Sequence, residues 1–189
     1  MRIISGQYKG RRFQAPGNLP VRPTTDAAKE SLFNILNNHL DWEELSVLDL
    51  FAGIGGISLE FISRGVKSVH SVDIHPGCTA FIRSMVQKLG INNLQVFRQD
   101  AYSFLERSSY PYNLIFADPP YQMDNIADIP NIVLNSKCLL PEGIFVLEHS
   151  DKYHFMEDSR CIEERRYGKV HFSFFKKIQL TNEPSSGQA

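Results

Sequence analysis

From residue 46 onward, short apolar runs alternate with stretches whose apolar residues recur at helical spacing. "SVLDLF" (46–51), "SVHSVDI" (68–74), "LQVFRQD" (94–100), "YNLIFAD" (112–118) and "GIFVLEH" (143–149) read as strands. Between them, "GISLEFISRG" reads as a helix ending at Gly65, and "PGCTAFIRSMVQKLG" as a helix with Pro76 near its start and Gly90 past its end. "AYSFLER" reads as a short helix and "DIPNIVLNSKCLL" as mostly helix. Strands and helices in strict alternation imply right-handed crossovers and an α/β, doubly wound, mostly parallel sheet. The end of the chain differs. "CIEERRYGKVHFSFFKKIQL" predicts two strands joined around Tyr167, Gly168 and Lys169, an antiparallel hairpin that brings the sheet to seven strands.

The first forty residues have another rhythm. "MRIISGQYKGRRFQAP" predicts a strand, a glycine-containing turn and a second strand closed by Pro16. In "VRPTTDAAKESLFNILNNHL", Pro23, Thr24, Thr25 and Asp26 are helix-start signals. Ala28, Leu32, Ile35, Leu36 and Leu40 follow at roughly helical spacing. The expected organisation is an extension over 1–40, one α/β domain over 41–180, and a disordered polar tail over 181–189.

Composition narrows the class. Of 189 residues, 42% are hydrophobic and 22% charged, an ordinary globular mixture. No run approaches a membrane span, and "MRIISGQYKG" lacks the apolar core of a secretory signal. Cys78, Cys138 and Cys161 are scattered, with no C-x-x-C pair, so neither a disulfide framework nor a metal site is expected. A reducing cytoplasm is the expected location. Net charge is −1, but it is unevenly spread. Residues 1–30 hold six basic side chains (Arg2, Lys9, Arg11, Arg12, Arg22, Lys29) against Asp26 and Glu30, a net of +4, leaving −5 for the rest. A basic arm on an acidic body suggests a locally anionic partner such as nucleic acid; a solvated start to the chain is the alternative.

The candidate chemistry lies where strands end, because doubly wound sheets bind ligands at the carboxyl ends of their strands. The first strand runs into "DLFAGIGG", where Gly53, Gly55 and Gly56 permit a tight turn and close approach of backbone to a ligand. Asp49 precedes this loop, Asp73 ends the second strand and Asp100 the third. Asp73 stands at about the spacing where an acid meets the ribose hydroxyls of a nucleoside, and Asp100 could accept from an adenine amino group. Each acid could instead cap the helix that follows it. A dinucleotide is disfavoured. Ser58 stands where a third glycine would fall, and Asp49 suits a cationic ligand better than a diphosphate. S-adenosylmethionine has an adenosine, an ammonium and a sulfonium, and no phosphate.

"VLDLFAGIGGISLE" resembles the first motif of S-adenosylmethionine-dependent methyltransferases. DNA cytosine-C5 methyltransferases open similarly but need a Pro-Cys nucleophile, and no cysteine here follows a proline. "DPPY" at 118–121 resembles the [DNS]-P-P-[YFW] motif of methyltransferases acting on exocyclic amines or amides. The resemblance implies a Rossmann-like class I methyltransferase, with a cofactor site at Asp49, Phe51, Ala52, Gly53, Gly55, Ile57, Asp73, Ile74, Asp100 and Ala101. Its catalytic group is Asp118, Pro119, Pro120 and Tyr121. The physics of that group is legible. An aromatic amine is a poor nucleophile because its lone pair is delocalised. Hydrogen bonds from its two N–H groups to the Asp118 carboxylate and the Pro119 carbonyl draw the nitrogen toward tetrahedral geometry and aim the pair at the methyl group. Proline fixes φ, so the carbonyl is aimed in advance. Tyr121 offers a face on which an extruded base stacks, worth ~1–3 kcal/mol.

"MRIISGQYKGRR", "RPTTDAAKESLFNIL", "LDLFAGIGGISLEFISRG", "FADPPY", "LLPEGIFVLEH" and "RYGKVHFSFF" together resemble the RsmD-type small-subunit rRNA guanine-N2 methyltransferases over about residues 1–178. The resemblance implies a monomer acting on small-subunit rRNA, free or in an assembling subunit, with no metal and no membrane. It makes Arg2, Lys9, Arg11, Arg12, Arg22 and Lys29 candidates for phosphate contacts. Thr24, Thr25 and Asp26 become candidates for the base pocket, with a helix cap as their other role. Tyr8 and Phe13 are expected to pack rather than stack on bases. An adenine-N6 methyltransferase, a glutamine methyltransferase and a non-catalytic RNA-binding module with a vestigial cofactor pocket are the competing readings.

Overall fold

The computed structural model describes residues 1–19, 24–37 and 40–177. A seven-stranded sheet runs through the molecule. Its strands are β1 (Ser46–Leu50), β2 (Ser68–Asp73), β3 (Leu94–Arg98), β4 (Tyr112–Ala117), β5 (Leu139–His149), β6 (Cys161–Tyr167) and β7 (Val170–Lys176), in the order β3-β2-β1-β4-β5-β7-β6. The first five pair in parallel, and β7 runs antiparallel to both its neighbours. The strand order turns back between β1 and β4. The crevice of a doubly wound sheet therefore opens at the carboxyl ends of these two strands, where Asp49 and Asp118 stand.

Both faces are covered. On one, Val47, Val69, Phe116, Val146 and Phe172 meet α1 (Asp26–Leu36), α2 (Gly56–Ser63) and α3 (Pro76–Leu89). On the other, Leu48, Val72, Ile115, Phe145 and Phe175 meet α4 (Ala101–Arg107) and α5 (Ile129–Asn135). Side chains alternate across a strand, so Asp49, Asp118 and Glu148 share the parity of Val47, Phe116 and Val146 and face the side of α2. Burial on both faces explains why these strands read as continuous apolar runs.

Two expectations need correction. Residues 1–16 form no pair of strands. The fold-back keeps one antiparallel bridge, Arg2 with Arg12, flanked by bonds from the Ile3 N–H to the Arg11 carbonyl and from the Phe13 N–H to the Met1 carbonyl, and it is further held by bonds to helix α2. Two glycines with positive φ, Gly6 and Gly10, bend the chain. The segment 128–140 is less helical than its spacing predicts. A 3-10 turn (Ile126–Asp128) precedes α5, which ends at Asn135, and β5 already begins at Leu139. The tail over 181–189, Arg22 and Pro23 lie outside the described residues.

Candidate active site

The glycine loop is built from backbone. After β1 the chain turns at Phe51, a non-glycine residue with φ 57°, then passes through Gly53 and Gly55 at positive φ. Such a residue is strained, and strain of this kind clusters at ligand sites. The Ala52 N–H donates to the Val72 carbonyl at 3.0 Å, and the Gly55 N–H to the Ala52 carbonyl at 2.8 Å. A Cβ on Gly55 would stand 2.9 Å from Ile82, so the position requires glycine for space as well as for φ.

The three acids occupy different surroundings. Asp49 is buried and accepts from the Ser58 hydroxyl. Burial pushes its carboxyl up to about 7, against the two bonds from Ser58. It braces α2 against β1 beneath the loop. Asp73 accepts from the Gly53 N–H at 2.8 Å and the His75 N–H at 2.7 Å, and it keeps partial exposure. Asp100 caps α4, accepting from the Ser103 N–H at 2.9 Å. A carboxylate has four lone-pair sites, so Asp73 and Asp100 hold acceptor capacity beyond these bonds. Beside Asp73, Ile74 is 67% exposed, an apolar platform at the rim of the loop. Ile57 and Ala101 are buried in the two cores, which leaves their backbone to a ligand. Two partly exposed acids thus stand near an apolar platform at the rim of the loop.

The second half of the site is at the end of β4. The Asp118 N–H continues the ladder to the Leu50 carbonyl at 3.4 Å. Pro119 is buried, Pro120 exposed, and the Met123 N–H closes the turn onto the Pro120 carbonyl at 2.9 Å. Tyr121, 39% exposed, presents its ring at the surface while its hydroxyl reaches Glu148 Oε1 at 3.5 Å. Ala117 pairs with Leu147, so the next positions, Asp118 and Glu148, stand side by side on one face. Asp118 is pushed well above the usual carboxylate range, first by burial, then by the negative charges of Glu148 and Asp49. Burial takes Glu148 to about 7, opposed by the Tyr121 hydroxyl. Sequence reasoning missed Glu148. It stands one position before the end of β5, and only the pairing of β5 with β4 sets it beside Asp118.

The basic candidates divide. Lys9, Arg11 and Arg12 are exposed, and the Arg11 guanidinium lies 5.5 Å from the Tyr8 ring centroid. Arg2 pairs with Asp26 at 2.9 Å. Arg2, Arg12, Asp26 and Ile54 line a cleft of about 700 Å³ between the arm and the glycine loop. Lys29 is a correction. It is 2% exposed, donates to the Arg2 carbonyl and stands 3.6 Å from Glu60, so it is sealed away from any phosphate. Burial lowers its pKa, against the charge of Glu60. Thr25 takes the cap role, accepting from the Ala28 N–H at 3.2 Å, and Thr24 is partly exposed beside it. Phe13 belongs to the core and Tyr8 packs against it, as expected. Among the described residues, no group of three or more His, Cys, Asp or Glu side chains could hold a metal ion, and no helix is long and apolar enough to cross a membrane.

The family model described as Conserved hypothetical protein 95 matches residues 1–176. YlbH of Bacillus subtilis is 32% identical over 184 residues, covering 94% of this chain and 99% of its own. Ribosomal RNA small subunit methyltransferase D of Escherichia coli K12 is 30% identical over 148 residues, covering 78% of this chain and 74% of its own. The solved structure of YhhF from Escherichia coli superposes with a TM-score of 0.81 at 28% identity, covering 94% of this chain and 98% of that one. A Thermus thermophilus 16S rRNA N2 G1207 methyltransferase, RsmC, solved with AdoMet and guanosine, shares the fold. Its TM-score is 0.66 at 19% identity, over 84% of this chain and 45% of that one. A seven-stranded class I architecture, a glycine loop at the strand-order reversal and an Asp-Pro-Pro-Tyr turn beside it thus coincide with a match over nearly the whole chain, and the chain belongs to the Conserved hypothetical protein 95 family, the RsmD-type rRNA methyltransferases.

Proposed function

We propose that this protein transfers a methyl group from S-adenosylmethionine to the exocyclic N2 of a guanine in 16S rRNA. It does so as a cytoplasmic monomer acting on free rRNA or on an assembling small subunit. One observation carries the reading: the Asp118 carboxylate stands at the strand-order reversal, partly exposed, with the rigid Pro119–Pro120 turn and the Tyr121 ring beside it. The donor is supported by the partly exposed Asp73 and Asp100 and by the exposed Ile74. When bound, S-adenosylmethionine supplies a methyl carbon on a sulfonium, whose sulfur keeps the C–S electron pair as the new N–C bond forms.

The chain's own groups do the rest. Asp118 and the Pro119 carbonyl accept from the two N–H groups of the amine and orient its lone pair. Positive charge develops on the nitrogen, and the negative charge of Asp118 opposes it at short range. Its raised pKa suits Asp118 to take the proton that the methylated nitrogen sheds and to release it to solvent. Tyr121 supplies the stacking face for the extruded base. Lys9, Arg11 and Arg12, on the 1–40 extension, hold the phosphates.

The test supplies radiolabelled S-adenosylmethionine and small-subunit rRNA from undermethylated ribosomes, then digests the RNA to nucleosides. Label is expected in N2-methylguanosine; label in N6-methyladenosine, or only in protein, overturns the assignment. Asp118→Ala is expected to abolish transfer, by about 10²-fold or more, with cofactor binding intact by calorimetry.

A further inference from the structure

Glu148 is 4% exposed, and its Oε2 has no hydrogen-bond partner among the described residues. An orphaned buried carboxylate oxygen is costly and calls for a donor. Its other oxygen is reached by Tyr121, a member of the catalytic turn, and Asp118 stands beside it across the β4–β5 pair. The next residue, His149, points to the other face, where it bonds Ser173 at 2.7 Å and the Ser150 carbonyl at 2.8 Å. Among the described residues nothing therefore meets Oε2, which lies on the same sheet face as Asp118.

The chemistry of the base completes the picture. Guanine presents two adjacent kinds of donor on its Watson–Crick edge: the N2 amine and the N1–H. Adenine presents an amine beside a bare N1 lone pair. Asp118 serves the amine in both cases. A second carboxylate beside it welcomes the guanine N1–H and repels the adenine N1. We infer that Glu148 Oε2 accepts the N1–H of the target guanine and is the residue that selects guanine over adenine.

This rests on the guanine-N2 reading, and the experiment separates the two. The acceptor nucleotide is first mapped by the digestion above. Small-subunit rRNA is then rebuilt by ligation with either guanosine or 2-aminopurine riboside at that position. 2-Aminopurine keeps the N2 amine, loses the 6-oxo group and presents a lone pair in place of the N1–H. The full-length protein is expected to prefer guanosine at least about tenfold in kcat/KM. Glu148→Gln, whose amide can turn either way, is expected to bring that ratio toward unity. Intrinsic reactivity of the two bases cancels when variant and wild type are compared as a double ratio. Adenosylhomocysteine titration checks that the variant keeps its cofactor site. A wild type that accepts both bases equally overturns the assignment without any variant. So does a folded, cofactor-binding Glu148→Gln that keeps the wild-type ratio, since a merely structural Glu148 would lower both rates together. N2-methylguanosine with an unmoved ratio overturns the role of Glu148 alone; absence of N2-methylguanosine in the wild-type digest overturns the guanine reading beneath it.

Discussion

Three carboxylates, Asp49, Asp118 and Glu148, face one side of the sheet, and burial raises all three. The consequence for pH has two opposite signs. A carboxylate whose native pKa is raised binds its proton more tightly folded than unfolded. Stability is therefore greatest at low pH and falls as pH rises from the usual carboxylate range through the native value. For Glu148 that window runs from 4.5 to about 7 and is worth up to about 3 kcal/mol. Denaturant unfolding of the cofactor-free protein is expected to show lower stability at pH 8 than at pH 5, with part of the fall removed in Glu148→Gln. Activity moves the other way. Only the ionised forms offer both oxygens as acceptors and a negative charge, so kcat/KM is expected to climb from pH 6 to 8. Parallel falls in both quantities would contradict the pKa directions. At this scale the sequence was partly legible. Asp118 stood out because two prolines and a tyrosine follow it. Glu148 did not, because its meaning arises only when β5 is laid beside β4.

At the level of elements, the arm and α2 form one unit. Glu60, fully buried, accepts from the Ile4 and Ser5 N–H groups at 2.8 and 3.0 Å and from Arg64 Nε at 3.1 Å, with Lys29 close by. Ser63 accepts from the Gln7 N–H at 2.7 Å through its carbonyl and from the Tyr8 N–H at 3.0 Å through its hydroxyl. Gly6 packs so closely that a Cβ there would stand 1.7 Å from the Ser63 carbonyl oxygen. Glu60→Ala strands Lys29 as a buried unpaired charge and is expected to cost about 3–5 kcal/mol in denaturant unfolding. Gly6→Ala, with φ at +79°, is expected to lift the arm. Protease would then cut within residues 1–19, and rRNA methylation would fall while adenosylhomocysteine binding survives. An uncut arm would show that the backbone yields. The sequence displayed this joint only faintly. Glu60 is a lone acid in an apolar helix, "GISLEFIS", and Lys29 is basic, but neither reveals that the two meet across thirty positions. Local spacing suggested a hairpin because glycines sit between apolar residues. Part of that backbone does pair within the arm, Ile3 with Arg11 and Phe13 with Met1, but Ile4, Ser5 and Tyr8 turn to side chains of α2.

For the whole molecule, the alternation of strand and helix was readable because parallel strands buried on both faces leave unbroken apolar runs. The strand order and the pairing of β5 with β4 are long-range facts that no local pattern carries. Charge is the remaining global property. An arm of net +4 on a body of −5 predicts salt-sensitive RNA binding governed by a few exposed cations. Arg11→Ala and Arg12→Ala are each expected to weaken rRNA binding and to flatten the log–log salt dependence by about one unit or less, with no change of the nucleoside methylated. An unaltered slope would remove these residues from the phosphate contacts. The clasp on α2 also bears on how the chain comes off the ribosome. Ile4, Ser5 and Tyr8 are synthesised before their acceptors, which lie 56, 55 and 55 residues downstream. At about 5–20 residues per second, the leading segment waits several seconds for its seat. Throughout that interval the arm lacks its clasp on α2.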